Sequence, residues 1–304
     1  DGLIKEARKY DLKLVFLWFG SWKNGTSGYA PHWVMKDTKR FPRMRDEKGQ
    51  NLPYLANFTS ALTNIESKAF YKLMDHIRQI DSEEQTVLMV QVENEVGILG
   101  DSRDRSIMAE TLFKKDVPEQ LIKYIVKNEK KILPEIIEQW KAHGKKLKGS
   151  WEDVFGNESN SLADEMFMGW NYACHIQEVA SAGKSAYPIP LFVNAWTIYP
   201  KDPIPGKYPS GGPNARMLDI YQLAAPAIDV LAVDNYNEDY ISKLKEYDRN
   251  DNPIFVPEAV ALFRGEKWSG PAKAFYTLAE YDAICFSPFA IDNYSVYNEK
   301  HPLR

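Results

Sequence analysis

Six short runs of apolar, β-branched and aromatic residues punctuate the chain, each bounded by polar turn residues. They are Lys13 to Trp18 (KLVFLW), Thr86 to Val92 (TVLMVQV), Pro190 to Trp196 (PLFVNAW), Ile228 to Asp234 (IDVLAVD), Pro253 to Pro257 (PIFVP) and Ala283 to Phe289 (AICFSPF). Runs of this length and composition predict strands. They are almost continuously apolar instead of alternating, which suits parallel strands covered on both faces. Between them the apolar positions recur at helical spacing over Ser60 to Ile80, Glu119 to His143, Ser161 to Ala182, Ala215 to Ala224, Tyr240 to Tyr247 and Pro271 to Glu280.

Strand and helix therefore alternate, the order of repeated right-handed βα units. Two architectures accommodate that order, an open doubly wound sheet and a (β/α)8 TIM barrel. No GxGxxG or GxxxxGK[ST] loop follows any of the strands, so the nucleotide-binding form of the open sheet loses its main support and the barrel is preferred. A barrel needs eight strands and six are visible. The expectation is one catalytic barrel domain over residues 1–304, incomplete at both ends, with the first two βα units and the final helix outside this chain. Six strands alone would leave two apolar edges open.

Two segments break the alternation. Trp22 to Phe58 is long, aromatic and punctuated by Pro and Gly, and Gly97 to Pro118 carries GILGDSRDRS. Both read as loops leaving strand ends, where a barrel builds its active-site face.

Composition narrows the function classes. With 44% hydrophobic and 26% charged residues the chain has the make-up of a soluble globular protein, and no apolar run approaches a membrane span. A formal net charge of −4 with interspersed signs offers no footprint for nucleic acid. Aromatic residues, at 13%, are the one departure, and they suit either a large core or the stacking platforms of a sugar cleft. Cys174 and Cys285 fall in a helix and a strand and are expected to be free, buried thiols. The five histidines show no HExxH or paired metal spacing; His76, His143 and His175 fall in helical patterns, where packing or solvent-facing roles are expected. No GxSxG elbow is present. Arg103 and Asp104 are expected to pair on the surface and hold their loop, outside the site. Four Asn-x-Ser/Thr sequons stand at Asn24, Asn57, Asn157 and Asn293.

The candidate chemistry lies where strands end. TVLMVQV runs directly into Glu93, Asn94 and Glu95, and Glu258 follows PIFVP. The Asn-Glu dipeptide occurs four more times, but only Asn94-Glu95 closes a buried strand. Carboxylates at the C-terminal ends of barrel strands are more often catalytic than structural. A single strand-end Glu can equally cap or pair, whereas two of them, three strands apart, match the two-carboxylate requirement of glycoside hydrolysis. Spacing leaves open which is the acid and which the nucleophile.

LWFGSWKNG followed by YAPHWV and RFPR, then QVENEVGILGDSRDRS, PIFVPEA and FSPFAIDN, resembles the bacterial β-galactosidases of glycoside hydrolase family 35, with family 42 sharing the layout. The similarity spans Trp18 to Asn293. It implies that the visible strands are numbers three to eight. It also implies Glu95 as acid/base, Glu258 as nucleophile and Asn94 as partner of the sugar hydroxyl beside the anomeric carbon. Asn235 and Tyr236 close IDVLAVD where this clan places a tyrosine on the nucleophile, and Tyr236 takes that role. Trp18, Trp22 and Trp196 are candidate sugar platforms. Phe289 stands where many clan members carry a Trp beneath the sugar.

The implied activity is retaining hydrolysis of terminal β-galactosides, with a carbohydrate substrate and no cofactor or metal. The alternatives are a same-clan enzyme acting on glucans, mannans or xylans and a sugar-binding homologue without catalysis. Oligomeric state and compartment are not written in these residues; a periplasmic or secreted location is compatible with the resemblance.

Overall fold

The computed structural model describes residues 1–156, 162–198, 203–259 and 270–291. All six expected strands form: β1 (Leu14–Trp18), β2 (Val87–Val92), β3 (Leu191–Trp196), β4 (Val230–Asn235), β5 (Phe255–Ala259) and β6 (Cys285–Pro288). They make one sheet in which every strand pairs in parallel with its neighbours in sequence. A doubly wound sheet reverses direction at a switch point, and this one never does. The topology is therefore that of a TIM-barrel wall, six parallel strands long, with β1 and β6 at its two edges.

Burial follows position in the sheet. Every residue of β4 and the first five of β3 are buried, as expected for strands covered on both faces. Edge strand β1 departs from that expectation and alternates, with Val15 and Leu17 exposed, because it has a neighbour on one side only. Period-two alternation places Phe192, Asn194 and Trp196 on one face of β3 and Val230, Ala232 and Asp234 on one face of β4. Lower on that face, Phe192, Val230, Ala232 and Phe255 pack into a cluster of their own. The same face thus runs from apolar at its base to polar at the C-terminal ends.

The opposite face carries the main core, into which the helices Ser60–Asp81 and Leu162–Ala186 pack. Thr59 caps the first of these, its hydroxyl accepting from the Leu62 N–H. The single helical pattern over Glu119 to His143 resolves into two helices, Glu119–Lys127 and Pro134–Ala142. Pro134 is the cause: it is favoured at a first helical position, and it holds Leu133 in an extended conformation that interrupts the run.

The segment 22–58, expected as a loop, contains two short hairpins and the helix His32–Lys36. The loop after β2 contains the helix Ile107–Phe113, capped by Ser106. Arg103 and Asp104 depart from the expected surface pair. Both are buried: Arg103 binds Asp164 through Nε at 2.8 Å, while the Asp104 carboxylate accepts from the backbone of Arg45 and Ser106. A guanidinium and a carboxylate can leave water here because each finds complementary partners within the fold. Cys174 and Cys285 are free but half-buried, and burial pushes the Cys174 thiol up to about 11.

Candidate active site

The cleft opens at the C-terminal ends of the strands and has a volume of about 310 Å³. Register explains which residues reach it. Trp196 pairs with Asp234 across β3 and β4, and Asp234 with Glu258 across β4 and β5, so three neighbouring strands end in one functional row. Glu95 joins from the turn that follows β2. One carboxylate oxygen from each of Glu95, Asp234 and Glu258 lies within 4.8 Å of the others.

The backbone around Glu95 is unusual. Glu93 has φ 59° and Glu95 φ 47°, left-handed conformations that disfavour residues with a Cβ. Buried amides hold them. Asn194 Oδ1 accepts the Glu95 N–H at 3.2 Å, and Gln91 Nε2 donates to the Glu93 carbonyl at 2.9 Å. Asn194 Nδ2 in turn donates to Asn94 Oδ1 at 3.0 Å and to Asp234 Oδ2 at 2.7 Å, so a single side chain on β3 links the ends of β2 and β4.

The carboxyls sit in different environments. Burial pushes Glu95 above the usual carboxylate range and the nearby charge of Glu258 adds to this, against hydrogen bonds from Trp196 and Asp234 and the Lys23 charge. Burial and the charges of Glu258 and Glu95 push Asp234 well above that range. The Tyr236 hydroxyl donates to Glu258 Oε2 at 2.7 Å, and burial with this contact raises the phenol above its ordinary value. Phe289, 54% exposed, packs edge-on to Tyr236 with ring centroids 6.4 Å apart.

Six of the residues singled out from sequence meet in this cleft: Asn94, Glu95, Trp196, Tyr236, Glu258 and Phe289. Asn94 is held by Gln91 and Asn194 on Oδ1 and donates one amide hydrogen to the Lys23 carbonyl. Three others lie elsewhere. Trp22 is only 5% exposed and stacks on Tyr54 with centroids 4.7 Å apart, a core contact made as its hairpin folds back. Trp18 faces the helix Ser60–Asp81, its ring 5.5 Å from Phe70, because alternation along β1 turns it away from Leu17. Asn235 is fully buried and ties the chain after β4, Nδ2 donating to the Tyr240 carbonyl and Oδ1 accepting from Asn237.

Asp234, Asn194, Lys23 and Thr197 are cleft or supporting residues that sequence reasoning passed over. The available signal was a polar residue inside an apolar run, Asn194 in PLFVNAW and Asp234 closing IDVLAVD.

Among the described residues a second group, Glu66, Glu93 and His175, also brings three possible ligand atoms within 4.8 Å. His175, for which packing or a solvent-facing role was expected, is buried. Its Nε2 lies 2.6 Å from Glu66 Oε2, and its Nδ1 2.9 Å from the Thr63 hydroxyl. Gly20 makes room beside it: with φ 50°, its α-carbon leaves space that a Cβ would fill at 1.9 Å from Glu93 Oε1. Of the sequons, Asn57 is buried, Asn24 lines the cleft, and Asn157 and Asn293 lie outside the described residues.

No family model matches the sequence, and no curated protein does. Among solved structures, the chain is similar to the β-galactosidase of Bacillus circulans sp. alkalophilus, with a TM-score of 0.52, 13% identity, and 88% of this chain against 38% of that one covered. The β-galactosidase of the psychrophilic Marinomonas ef1 aligns with a TM-score of 0.57 and 10% identity over 95% of this chain and 45% of that one. The catalytic domain of a β-amylase from Paenibacillus polymyxa gives 0.56 and 12%, over 96% and 79%. The chain thus spans less than half the length of either galactosidase. At these identities the likeness bears on fold alone, and it agrees with the barrel-wall topology read from strand order.

Proposed function

We propose that this chain carries the active site of a retaining β-glycosidase that removes terminal β-galactose. The observation that carries the reading is the approach of the Glu95 and Glu258 carboxylates to within 4.8 Å at the ends of two barrel strands. Retaining enzymes place their carboxyls about 5–5.5 Å apart, whereas inverting enzymes need roughly 6.5–9.5 Å to admit a water.

The environments support a division of roles. Glu95, its carboxyl pushed above the usual range by burial and by the charge of its neighbour, supplies the proton to the leaving oxygen. Glu258, with one oxygen held by the Tyr236 hydroxyl, presents the other to the anomeric carbon. In the first half-reaction the C1–oxygen bond to the leaving group breaks as the C1–Oε bond to Glu258 forms. In the second, Glu95 takes a proton from water, and that water displaces Glu258. None of these steps calls for a metal or cofactor.

A cleft of about 310 Å³ lies at the small end of ligand sites, which suits one sugar ring at a chain end. Trp196, Phe289 and Tyr236 offer aromatic faces to it. The choice of galactose rests on the family 35 motifs. Hydrolysis of nitrophenyl β-galactoside, β-glucoside and β-mannoside by the full-length protein tests the sugar, and NMR of the first-formed product tests the stereochemistry. The β-anomer of galactose is expected. First release of the α-anomer, or no turnover of any glycoside, overturns the proposal.

A further inference from the structure

The cleft contains a carboxyl group that the two-carboxylate mechanism leaves without a task. Asp234 is 2% exposed. Among the described residues the protein donor that reaches it is Asn194, on Oδ2, and Oδ1 has no donor at all. One oxygen of its carboxyl nevertheless lies within 4.8 Å of a carboxyl oxygen of Glu95 and of one of Glu258. Two ionised carboxylates offer each other only lone pairs and like charge, so this approach in a buried site favours a proton on one of them.

Among the described residues, the surrounding groups do not supply an alternative. Glu258 and Glu95 face Asp234 with like charge. The Tyr236 hydroxyl is committed to Glu258, and that of Tyr247, from the helix Tyr240–Tyr247, to the Pro213 carbonyl at 3.3 Å. Lys23, the basic residue among those lining the cleft, acts on Glu95.

We propose that Asp234 is a positioning residue that keeps a proton through the catalytic cycle and donates it as a hydrogen bond to Glu95. The inference rests on the glycosidase reading of the same cleft. Charge bookkeeping supports it. At rest, Glu258 is ionised while Glu95 and Asp234 are protonated, so the three carboxyls carry one negative charge. When Glu258 becomes an ester and Glu95 has passed its proton to the leaving oxygen, the total is again one negative charge, now on Glu95. The Asp234 hydroxyl is then already aimed at the oxygen where that charge appears. A preset donor of this kind needs no reorganisation during the reaction. An ionised Asp234 would instead hold two charges in a buried site at every stage.

Asp234→Asn and Asp234→Ala separate these states. The asparagine keeps an N–H donor but cannot ionise, and the alanine has neither property. The basic limb of kcat/KM follows loss of the Glu95 proton. With Asp234 protonated, D234N leaves that limb in place with a rate loss of about 10-fold, while D234A shifts it to higher pH and loses about 10²–10³-fold. With Asp234 ionised, D234N removes a negative neighbour and shifts the limb to lower pH, which overturns the proposal. Infrared spectroscopy reads the proton without turnover: the wild-type minus D234N difference spectrum at neutral pH must contain a protonated-carboxyl band, and its absence also overturns the proposal. Should D234N fail to fold, titration of the Asp234 carboxyl carbon by NMR in the wild-type protein decides the same question. A protein that hydrolyses no glycoside yet shows the band would sink the glycosidase reading and leave the shared proton standing.

Discussion

Replacing Asn194 by alanine tests the part of the site that carries the most structural consequence. The side chain makes three hydrogen bonds, to the Glu95 N–H, to Asn94 Oδ1 and to Asp234 Oδ2. Asn94 Oδ1 keeps Gln91 as a partner, so truncation leaves two buried groups unsatisfied, the Glu95 N–H and the Asp234 carboxyl. Each costs about 1–3 kcal/mol, for a sum of about 4 kcal/mol. At roughly 2–4 °C per kcal/mol for larger domains, the melting temperature falls by about 8–16 °C. The catalytic effect is separate. Glu95 occupies a left-handed conformation that Asn194 holds from the neighbouring strand, and a displacement of about 1 Å in such a group costs about 10²-fold in rate. Thermal melting followed by nitrophenyl galactoside kinetics on the folded variant measures both. A loss below about 2 °C, together with activity within about 3-fold of wild type, would refute the claim that Asn194 fixes the Glu95 backbone.

Tyr236→Phe removes the 2.7 Å hydrogen bond to Glu258 while keeping the ring against Phe289; a bond to a charged group is worth about 1.5–3 kcal/mol, so kcat falls about 10–100-fold with little change in melting temperature. Glu95→Ala removes the acid: poor leaving groups lose about 10²–10⁴-fold more than dinitrophenyl glycosides do, and added azide returns activity as a β-glycosyl azide. Equal losses for both leaving groups would argue against the acid role. Asp81 supplies a pH test away from the cleft. Burial raises its pKa, but hydrogen bonds from the Val87 N–H, Arg8 and Thr86 outweigh that and leave it below the usual carboxylate range. A group depressed in the folded state stabilises the protein above its unfolded pKa of about 3.9, and that stability is lost as pH falls through the folded value. Asp81→Asn should therefore lower stability at neutral pH and flatten its decline in acid, as read by denaturant melts across pH.

The strand–helix alternation was legible because burial on both faces of a parallel strand demands a continuous apolar run, and that demand is local. All six strands and the long helices were found for this reason. The ends were less legible: β1 alternates in burial because an edge strand is decided by what lies beside it, and one helical pattern became two around Pro134. The inner content of residues 22–58 escaped because short hairpins carry little period of their own.

For the site, Glu95 and Glu258 were visible as charges placed where apolar runs stop, and Tyr236 and Trp196 as aromatics at the same points. What those residues do together was not. Whether a strand-end side chain enters the cleft depends on the parity of its strand and on register with its neighbours, which aligns Trp196, Asp234 and Glu258 in one row and turns Asn235 and Trp18 elsewhere. The linear pattern thus determined the kind of elements and the supply of carboxyl groups. Tertiary structure alone brought three carboxyls within 4.8 Å of one another, because their separation and the burial that tunes them arise only when strands distant in sequence pair side by side.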